Sequence, residues 1–444
     1  MSGKGSGKLT PQGVHHAAAR YAAGLLVALT AVGTFLRVET LTKRPLWYDE
    51  TWTLGIVDSA SSLRDLWAAS ARDRAEHPVL FYAIAYAARQ GGGGEKAIRV
   101  PALLFGVLSI PLLGMLGWRL FGSRAGLLAA SLLTFSVYHI DFSQDARSYT
   151  LLLFWSLLAW HGFLSFVRSG SLLGLALLAI SLLGSLYTHH ATVFVAVPIA
   201  VAGCVLAGQR WWMDRQFPGW LCGGFVAAAV LIALGYWPQL AHTRTFLSSD
   251  DLERDHTLAL SARLVVEVFG RWTFGYVWGV LSAGLLAIGV VRACRSLERS
   301  AILLPWAVMP FVVFGFVPFG KFFDLRFLIT ALPAFLLLVG AGLDWIIEGV
   351  TRVLARLARF GDRRVPARLV EALCAILLLW SAAGPYRTFR RLEQRCSDFY
   401  HRPEVMRQER GFCREHLVLS SLWRSRPFAV LRRYPPSDQP GSRW

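Results

Sequence analysis

Residues 98–118 read IRVPALLFGVLSIPLLGMLGW, an apolar run in which Arg99 is the only charged residue. About 20 such residues in a helix cross the ~30 Å hydrocarbon core of a bilayer, where only helices and closed barrels satisfy the backbone. Comparable runs recur, and the chain is 55% hydrophobic and 17% charged with a mean hydropathy of +0.45. Soluble domains have about 45–50% apolar and about 25% charged residues. We therefore expect an all-α polytopic membrane protein.

About 11 transmembrane helices are expected, together with interfacial helices in the first outer loop. The segment 78–90 would rise only about 20 Å as a helix, which is too short to cross, so we place it along the interface. The first run, which lacks a convincing cleavage site, is expected to be a retained signal-anchor. The predicted spans are 21–38, 98–118, 124–140, 149–167, 171–188, 191–207, 219–238, 276–293, 301–319, 326–347 and 369–386.

The net charge of +18 is explained by the membrane topology rather than by nucleic-acid binding. With the N-terminus inside, the short inner connections are rich in arginine, whereas the outer loops mix both signs, as the positive-inside rule requires. This topology places 78–90 and the other unusual polar residues on the extracytoplasmic face of an inner or plasma membrane. The inner arginines include Arg119, Arg124, Arg168, Arg210, Arg215, Arg292, Arg295 and Arg299.

Four segments are expected along the chain. Residues 1–20 form a basic cytoplasmic tail, 21–348 the membrane core, 349–386 a basic interfacial helix with the last span, and 387–444 a basic C-terminal tail. Eleven spans would place this last tail outside, against its charge, so its side stays open. Cys396 and Cys413 lie in it, and whether they pair depends on that side.

The first outer loop contains the least ordinary group of residues, Trp47-Tyr48-Asp49-Glu50. One interpretation is a general base or metal ligand beside aromatic rings that stack on a sugar. The other is an N-terminal capping pair for a short interfacial helix whose aromatics belong to the membrane interface. Spacing alone leaves both open.

Further polar residues lie on the same predicted face. The segment 138–149 carries Asp145 and Arg147, for which a surface salt bridge is the alternative to a functional role. Cations at span ends, such as Arg99 and Arg326, either snorkel to the interface or hold an anionic headgroup. His77 and His189 are structural histidines or metal ligands.

Taken in order, these segments resemble the C-type polytopic glycosyltransferases, specifically glycosyltransferase family 39 with its protein mannosyltransferase and aminoarabinose transferase relatives. The likeness covers about residues 20–345. Asp145 and Val79 depart from the family's commoner Glu and Pro at those positions. The matching segments are 46–50 (LWYDE), 77–82 (HPVLFY), 98–102 (IRVPA), 142–149 (FSQDARSY), 187–189 (YTH) and 326–328 (RFL) with Pro333.

The resemblance implies transfer of a sugar from a polyprenyl-phosphate donor to an acceptor hydroxyl on an extracytoplasmic glycan, lipid or protein, with inversion. Asp49 would be the base, with Glu50 orienting the acceptor or binding a metal. An optional divalent ion would be held by His77 and His189. The phosphate would be bound by Arg99, Arg147, Arg326 and Lys321, and the substrate by Trp47, Tyr48, Asp145 and Tyr149.

Two other classes remain open from the sequence. A polyprenyl-phosphate-sugar flippase or transporter would have charges near the bilayer midplane and paired repeats of broken helices. A non-catalytic membrane scaffold would bind the lipid without turnover. The clustering of unusual residues at one surface favours the transferase.

Overall fold

A computed structural model describes residues 11–39, 41–42, 46, 48–72, 78–247, 262–273, 276–316 and 325–357. The predicted span 369–386, the C-terminal tail and both of its cysteines lie outside these residues. The α-helices are α1 Pro11–Val38, α2 Tyr48–Asp58, α3 Leu63–Arg72, α4 Leu80–Gln90, α5 Val100–Phe121, α6 Ser123–Phe135, α7 Val137–Ser143, α8 Tyr149–Ser169, α9 Leu172–Leu186, α10 Val193–Asp214, α11 Gly219–Tyr236, α12 Leu240–Leu247, α13 Ala262–Thr273, α14 Tyr276–Ala293, α15 Leu297–Phe316 and α16 Leu332–Leu357.

The prediction of a polytopic all-α membrane protein is confirmed. Among the described residues, seven helices are long and apolar enough to cross a membrane, or eight if α6 and α7 form one bent span. The predicted spans 171–188 and 276–293 coincide with apolar helices that fall below that length. The seven are Ala19–Val38, Glu95–Phe121, Tyr149–Ser169, His190–Asp214, Gly219–Gln239, Leu297–Phe314 and Arg326–Val353.

The segment predicted as one span over 124–140 is broken. Helices α6 and α7 meet at a bend of 61°, where Ser136 has an extended backbone with ψ of 109°. The hydroxyl of Ser136 accepts a hydrogen bond from the backbone N–H of His139, which starts α7. Serine at such an N-cap stabilises a new helix start, and this local preference explains why a long apolar run does not continue straight.

The helices of the first loop include a short helix in the segment 78–90, which is expected to be too short to cross the membrane. Helix α4 has 11 residues, a rise of about 16 Å. Its apolar side packs with α2 and α3 in a separate buried cluster that includes Ile56, Leu66 and Phe81 and extends to Ile98 and Leu151. The loop is therefore a packed layer over the starts of α5 and α8.

Small residues allow the long helices to approach closely, as is common in membrane helix pairs. A side chain at Gly162 of α8 would overlap the backbone of α9 at Gly174 and Leu178. The main core runs between these helices and α16, where the indoles of Trp160 and Trp306 stack with centroids 4.9 Å apart. This packing fixes the helix ends that carry the polar residues.

One end of the helix bundle is tied by ion pairs around Asp344 of α16, a carboxylate that is almost fully buried. Arg292 of α14 donates to it at 2.5 Å and also to the carbonyl of Ala341 at 2.9 Å. Arg124 of α6 pairs with its other oxygen. We call this the Asp344 end. Helix α16 continues to Leu357, so the segment boundary predicted at 348/349 falls inside it.

Candidate active site

At the opposite end of the bundle, which we call the Asp49 end, a carboxylate lies between two arginines from distant parts of the sequence. Asp49 stands in the first turn of α2. Its Oδ2 accepts a hydrogen bond from Nη1 of Arg326 at 2.9 Å and lies 3.9 Å from Nε of Arg147. The Asp49 side chain keeps 19% of its surface exposed. A partly accessible carboxylate paired with two cations suits chemistry on an anionic substrate.

Glu50, the neighbouring acid, is held quite differently. Both of its oxygens accept hydrogen bonds from Arg99, Nε to Oε1 and Nη2 to Oε2, each at 2.6 Å. The side chains are only 1% and 2% exposed, and Arg99 also donates to the carbonyl of Leu41 at 2.6 Å. This buried bidentate pair joins α2 to the turn before α5, so the two adjacent acids have separate environments.

Glu50 also fixes the loop that carries Arg147. Its Oε1 accepts the backbone N–H of Ala146 at 2.9 Å. Thr53, one turn further along α2, donates to the carbonyl of Ala146 at 3.1 Å. Because both backbone groups of Ala146 are bound to α2, the next residue is held beside Asp49. The segment 144–148, here called the arginine loop, is thus pinned to the first loop.

Arg147 is charged in its buried position. Burial lowers the pKa of this guanidinium, but Tyr149, Tyr82 and Asp49 together outweigh that effect, and the net shift of the pKa is upward. Arg326, a neighbouring cation, opposes the rise. A second negative charge near these two arginines would relieve their mutual repulsion, as a bound phosphate does.

Arg326 packs on the ring of Tyr149, which belongs to a cluster of aromatic side chains. The guanidinium carbon lies 5.7 Å from the ring centroid of Tyr149, which begins α8 and is buried. That ring is 5.9 Å from His189 and 6.3 Å from Phe327, centroid to centroid. Cation–π contact orients a guanidinium without neutralising it, so Arg326 keeps its charge for Asp49 or for a ligand.

His189 is a neutral member of this group. Its Nδ1 accepts the backbone N–H of Ala191 at 2.9 Å, which places the ring proton on Nε2. Burial lowers the pKa of His189 well below its usual range, and the neighbouring His190, Arg147 and Arg326 lower that pKa further. With Nδ1 occupied and Nε2 protonated, this tautomer offers no lone pair to a metal ion.

The metal prediction itself is not tested. Among the described residues there is no group of three or more His, Cys, Asp or Glu side chains that could hold an ion. His77, the other predicted ligand, lies outside them, as do Trp47 and Lys321, and only the backbone of Tyr48 is described.

Most of the other predicted residues converge on this end of the bundle. Asp49, Arg147 and Arg326 form the charged centre. Next to this centre, Glu50 pairs with Arg99. Tyr149 packs against both Arg326 and His189. Asp145 is buried in the arginine loop, where its carbonyl accepts the N–H of Arg147 at 2.7 Å. Both carboxylates lie in the first turn of α2, so their position at a helix start does not by itself decide between the two interpretations.

Sequence reasoning missed Thr53 and Arg37. Thr53 gives no signal, since a threonine in a helix is ordinary. Arg37 does give one: it is a charged residue in the last turn of an apolar span, and such residues usually bind a partner inside the bundle. It is fully buried.

The fold is similar to that of polytopic C-type membrane glycosyltransferases of known structure. The structure is similar to ArnT from Cupriavidus metallidurans, in the apo state and bound to undecaprenyl phosphate. The TM-scores are 0.54 and 0.53 at 16% and 17% identity, and each match covers 90% of this chain and 74% of ArnT. At that identity the likeness concerns the fold.

A family model adds sequence evidence. Residues 73–237 match the model of the dolichyl-phosphate-mannose-protein mannosyltransferases, and the resemblance to C-type glycosyltransferases is thereby confirmed. The archaeal oligosaccharyltransferase AglB from Archaeoglobus fulgidus, solved with an inhibitory peptide and a dolichol-phosphate, is also similar. It has a TM-score of 0.53 at 14% identity, with 83% of this chain and 55% of AglB covered. No curated protein sequence matches the chain.

Proposed function

We propose that this protein transfers a sugar from a polyprenyl-phosphate donor to an acceptor hydroxyl at the extracytoplasmic face of the cell membrane, with inversion at the anomeric carbon. The observation that carries the proposal is Asp49 lying 2.9 Å from Arg326 and 3.9 Å from Arg147 at the end of a membrane helix bundle. The family model and the structures solved with polyprenyl phosphates support it.

The two arginines act on the leaving group. As the bond between the anomeric carbon and the phosphate oxygen breaks, negative charge grows on the phosphate, and preorganised cations lower the barrier most where charge develops. Arg147 and Arg326 are fixed for this task, the first by the arginine loop and the second by the ring of Tyr149. The prenyl chain stays among the helices in lipid while the headgroup reaches the Asp49 end.

Asp49 acts on the acceptor. The hydroxyl oxygen attacks the anomeric carbon opposite the phosphate, its proton passes to the Asp49 carboxylate, and polyprenyl phosphate departs with the bonding electron pair. In the structure the carboxylate pairs with Arg326. When the phosphate attracts the arginines, the carboxylate is released to accept the proton. A single displacement of this kind inverts the anomeric configuration.

Glu50 and Arg99 have a supporting role in this proposal. The resemblance implies that Glu50 orients the acceptor or binds a metal and that Arg99 binds the phosphate. Their contacts favour a different division of work, because both oxygens of Glu50 are bound to Arg99. We assign them to holding α2 and the arginine loop. Trp47, Tyr48 and Asp145 stay as predicted substrate contacts, and Lys321 stays a predicted phosphate contact. The optional divalent ion at His77 and His189 also stays a prediction.

The test is sugar transfer by the purified full chain in lipid nanodiscs. Radiolabelled polyprenyl-phosphate hexoses and aminopentoses are offered with membrane-extract acceptors to the wild type, Asp49→Asn and Asp58→Asn. Asp58 lies on the same helix and pairs with Arg89 at 3.0 Å near the surface, which makes it a matched control. We expect transfer by the wild type and Asp58→Asn, and a loss of 100-fold or more, on the order expected for a lost general base, in Asp49→Asn.

Several outcomes would contradict the proposal. Transfer that survives in Asp49→Asn at the control rate would remove Asp49 as the base. Movement of the lipid-linked sugar across the bilayer without transfer would favour a flippase. Donor binding with neither transfer nor movement, across all donors and acceptors, would favour the scaffold.

A further inference from the structure

Arg37, in the last turn of α1, makes an unusually complete set of hydrogen bonds at the Asp49 end. Its Nη1 donates to the carbonyls of Gly33 and Thr134 at 3.0 and 3.1 Å. Nη2 donates to the carbonyl of Leu133 at 3.0 Å and to Nδ1 of His139 at 2.7 Å. Nε donates to the hydroxyl of Ser143 at 3.2 Å. All five N–H groups of the guanidinium are used.

These contacts lie at the break between α6 and α7. The bend at Ser136 interrupts the helical pairing of the last carbonyls of α6, although the carbonyl of Leu133 still accepts the N–H of Ser136 at 3.3 Å. In a membrane an unsatisfied backbone carbonyl is strongly unfavourable. Arg37 supplies donors to two of these carbonyls, those of Leu133 and Thr134. It also binds both ends of α7, through His139 near its start and Ser143 at its last residue.

The same residue reaches the arginine loop, which starts directly after α7. The side chain of Gln144 donates to the carbonyl of Arg37 at 2.8 Å. A close approach supports this end of α7, because any side chain at Gly106 of α5 would overlap the hydroxyl of Ser143. The arginine loop is therefore held from two sides, by Arg37 before Ala146 and by Glu50 and Thr53 at Ala146.

We propose that Arg37 is a positioning residue that sets the place of Arg147 through α7 and the arginine loop, and thereby sets the affinity for the donor phosphate. The effect of Arg37 on Arg147 passes through α7, whose two ends it binds, and through Gln144 of the arginine loop. The effect of Arg37 on donor affinity rests on the proposed function. The effect of Arg37 on the position of the arginine loop does not rest on it, and a separate experiment measures that effect.

The first arm of the experiment measures hydrogen–deuterium exchange of the full chain in nanodiscs without any donor. The variants are Arg37→Lys, which keeps the charge but loses the fork of donors, and Ser143→Ala, which removes one acceptor. The control is Arg292→Lys, another buried arginine bound to a helix carbonyl and a side chain, at the Asp344 end. We expect about ten-fold faster exchange in a peptide covering 144–149 for Arg37→Lys, a smaller rise for Ser143→Ala, and none for Arg292→Lys.

The second arm measures donor KM and kcat in a double-mutant cycle of Arg37→Lys and Arg147→Ala. Arg37→Lys alone should raise the donor KM about ten-fold and lower kcat as well, since Arg147 both binds the donor phosphate and stabilises the charge that develops on it. In the Arg147→Ala background it should raise KM no further, because the residue it positions is gone. A purely structural role would give the same fold-change in both backgrounds.

The two arms separate the possible failures. Unchanged exchange over 144–149 in both Arg37→Lys and Ser143→Ala would overturn the positioning role whatever the activity. Should Arg37→Lys not fold, Ser143→Ala alone decides this arm and replaces it in the cycle. If the wild type transfers no sugar, the proposed function fails, while the exchange arm still confirms or overturns control of the loop by Arg37.

Discussion

The buried pair of Glu50 and Arg99 gives the sharpest test of how the site is built. Changing Glu50 to Gln preserves shape but leaves the Arg99 guanidinium, 1% exposed, without its counter-charge. Three hydrogen bonds are affected, two from Arg99 at 2.6 Å and one from the Ala146 N–H at 2.9 Å. Removing one partner of a buried ion pair costs about 3–5 kcal/mol, and we expect Glu50→Gln to lower the free energy of unfolding by about that much.

The assay is reversible unfolding in mixed micelles by increasing SDS, with Asp58→Asn as the control for an exposed pair. Exposed pairs contribute about 0–1 kcal/mol, so the control should be close to wild type. The double variant Glu50→Gln/Arg99→Met removes the stranded charge and should be more stable than Glu50→Gln alone. A loss below about 1 kcal/mol in Glu50→Gln, or no recovery in the double variant, would refute the assignment of this pair to structure.

Two further predictions concern the aromatic group beneath the arginines. The pKa of His189 is lowered in the fold, so its contribution to stability is complete above the usual histidine pKa near 6.5 and declines as the pH falls below that value. In SDS unfolding, the wild type should lose free energy of unfolding between pH 7.5 and pH 5.5, and His189→Gln should lose less. An equal loss of unfolding free energy in the two proteins would contradict this prediction. Tyr149→Leu should raise the donor KM about three- to ten-fold by removing the ring under Arg326, whereas Tyr149→Phe should match the wild type; equal KM values for the two would dismiss the cation–π support.

The sequence allowed the helical class, the first-loop layer and the convergence of Asp49, Arg147 and Arg326 to be predicted. Apolar run length fixes the spans, and motif order along the chain brings these residues to one end. The bend at Ser136 could not be predicted, because a serine within an apolar run does not by itself mark a helix break, and the donors that Arg37 adds there come from about a hundred residues away. The different roles of Asp49 and Glu50 could not be predicted either. Adjacent residues of a helix point in different directions, and only the structure shows that Glu50 points to Arg99 and Asp49 to Arg326.

The ion pairs around Asp344 impose an order on how the chain is assembled. Asp344 lies inside an apolar span, and a lone aspartate at the centre of an inserting helix costs up to about 3.5 kcal/mol. Its partners, Arg124 and Arg292, are made 220 and 52 residues earlier. Both cations therefore precede α16 in synthesis and can pair with Asp344 at the Asp344 end once α16 is made. Helix α16, the most C-terminal of the described helices, is thus inserted after the helices that carry the counter-charges of Asp344. A chain lacking α6 or α14 would insert α16 without one of these two arginines.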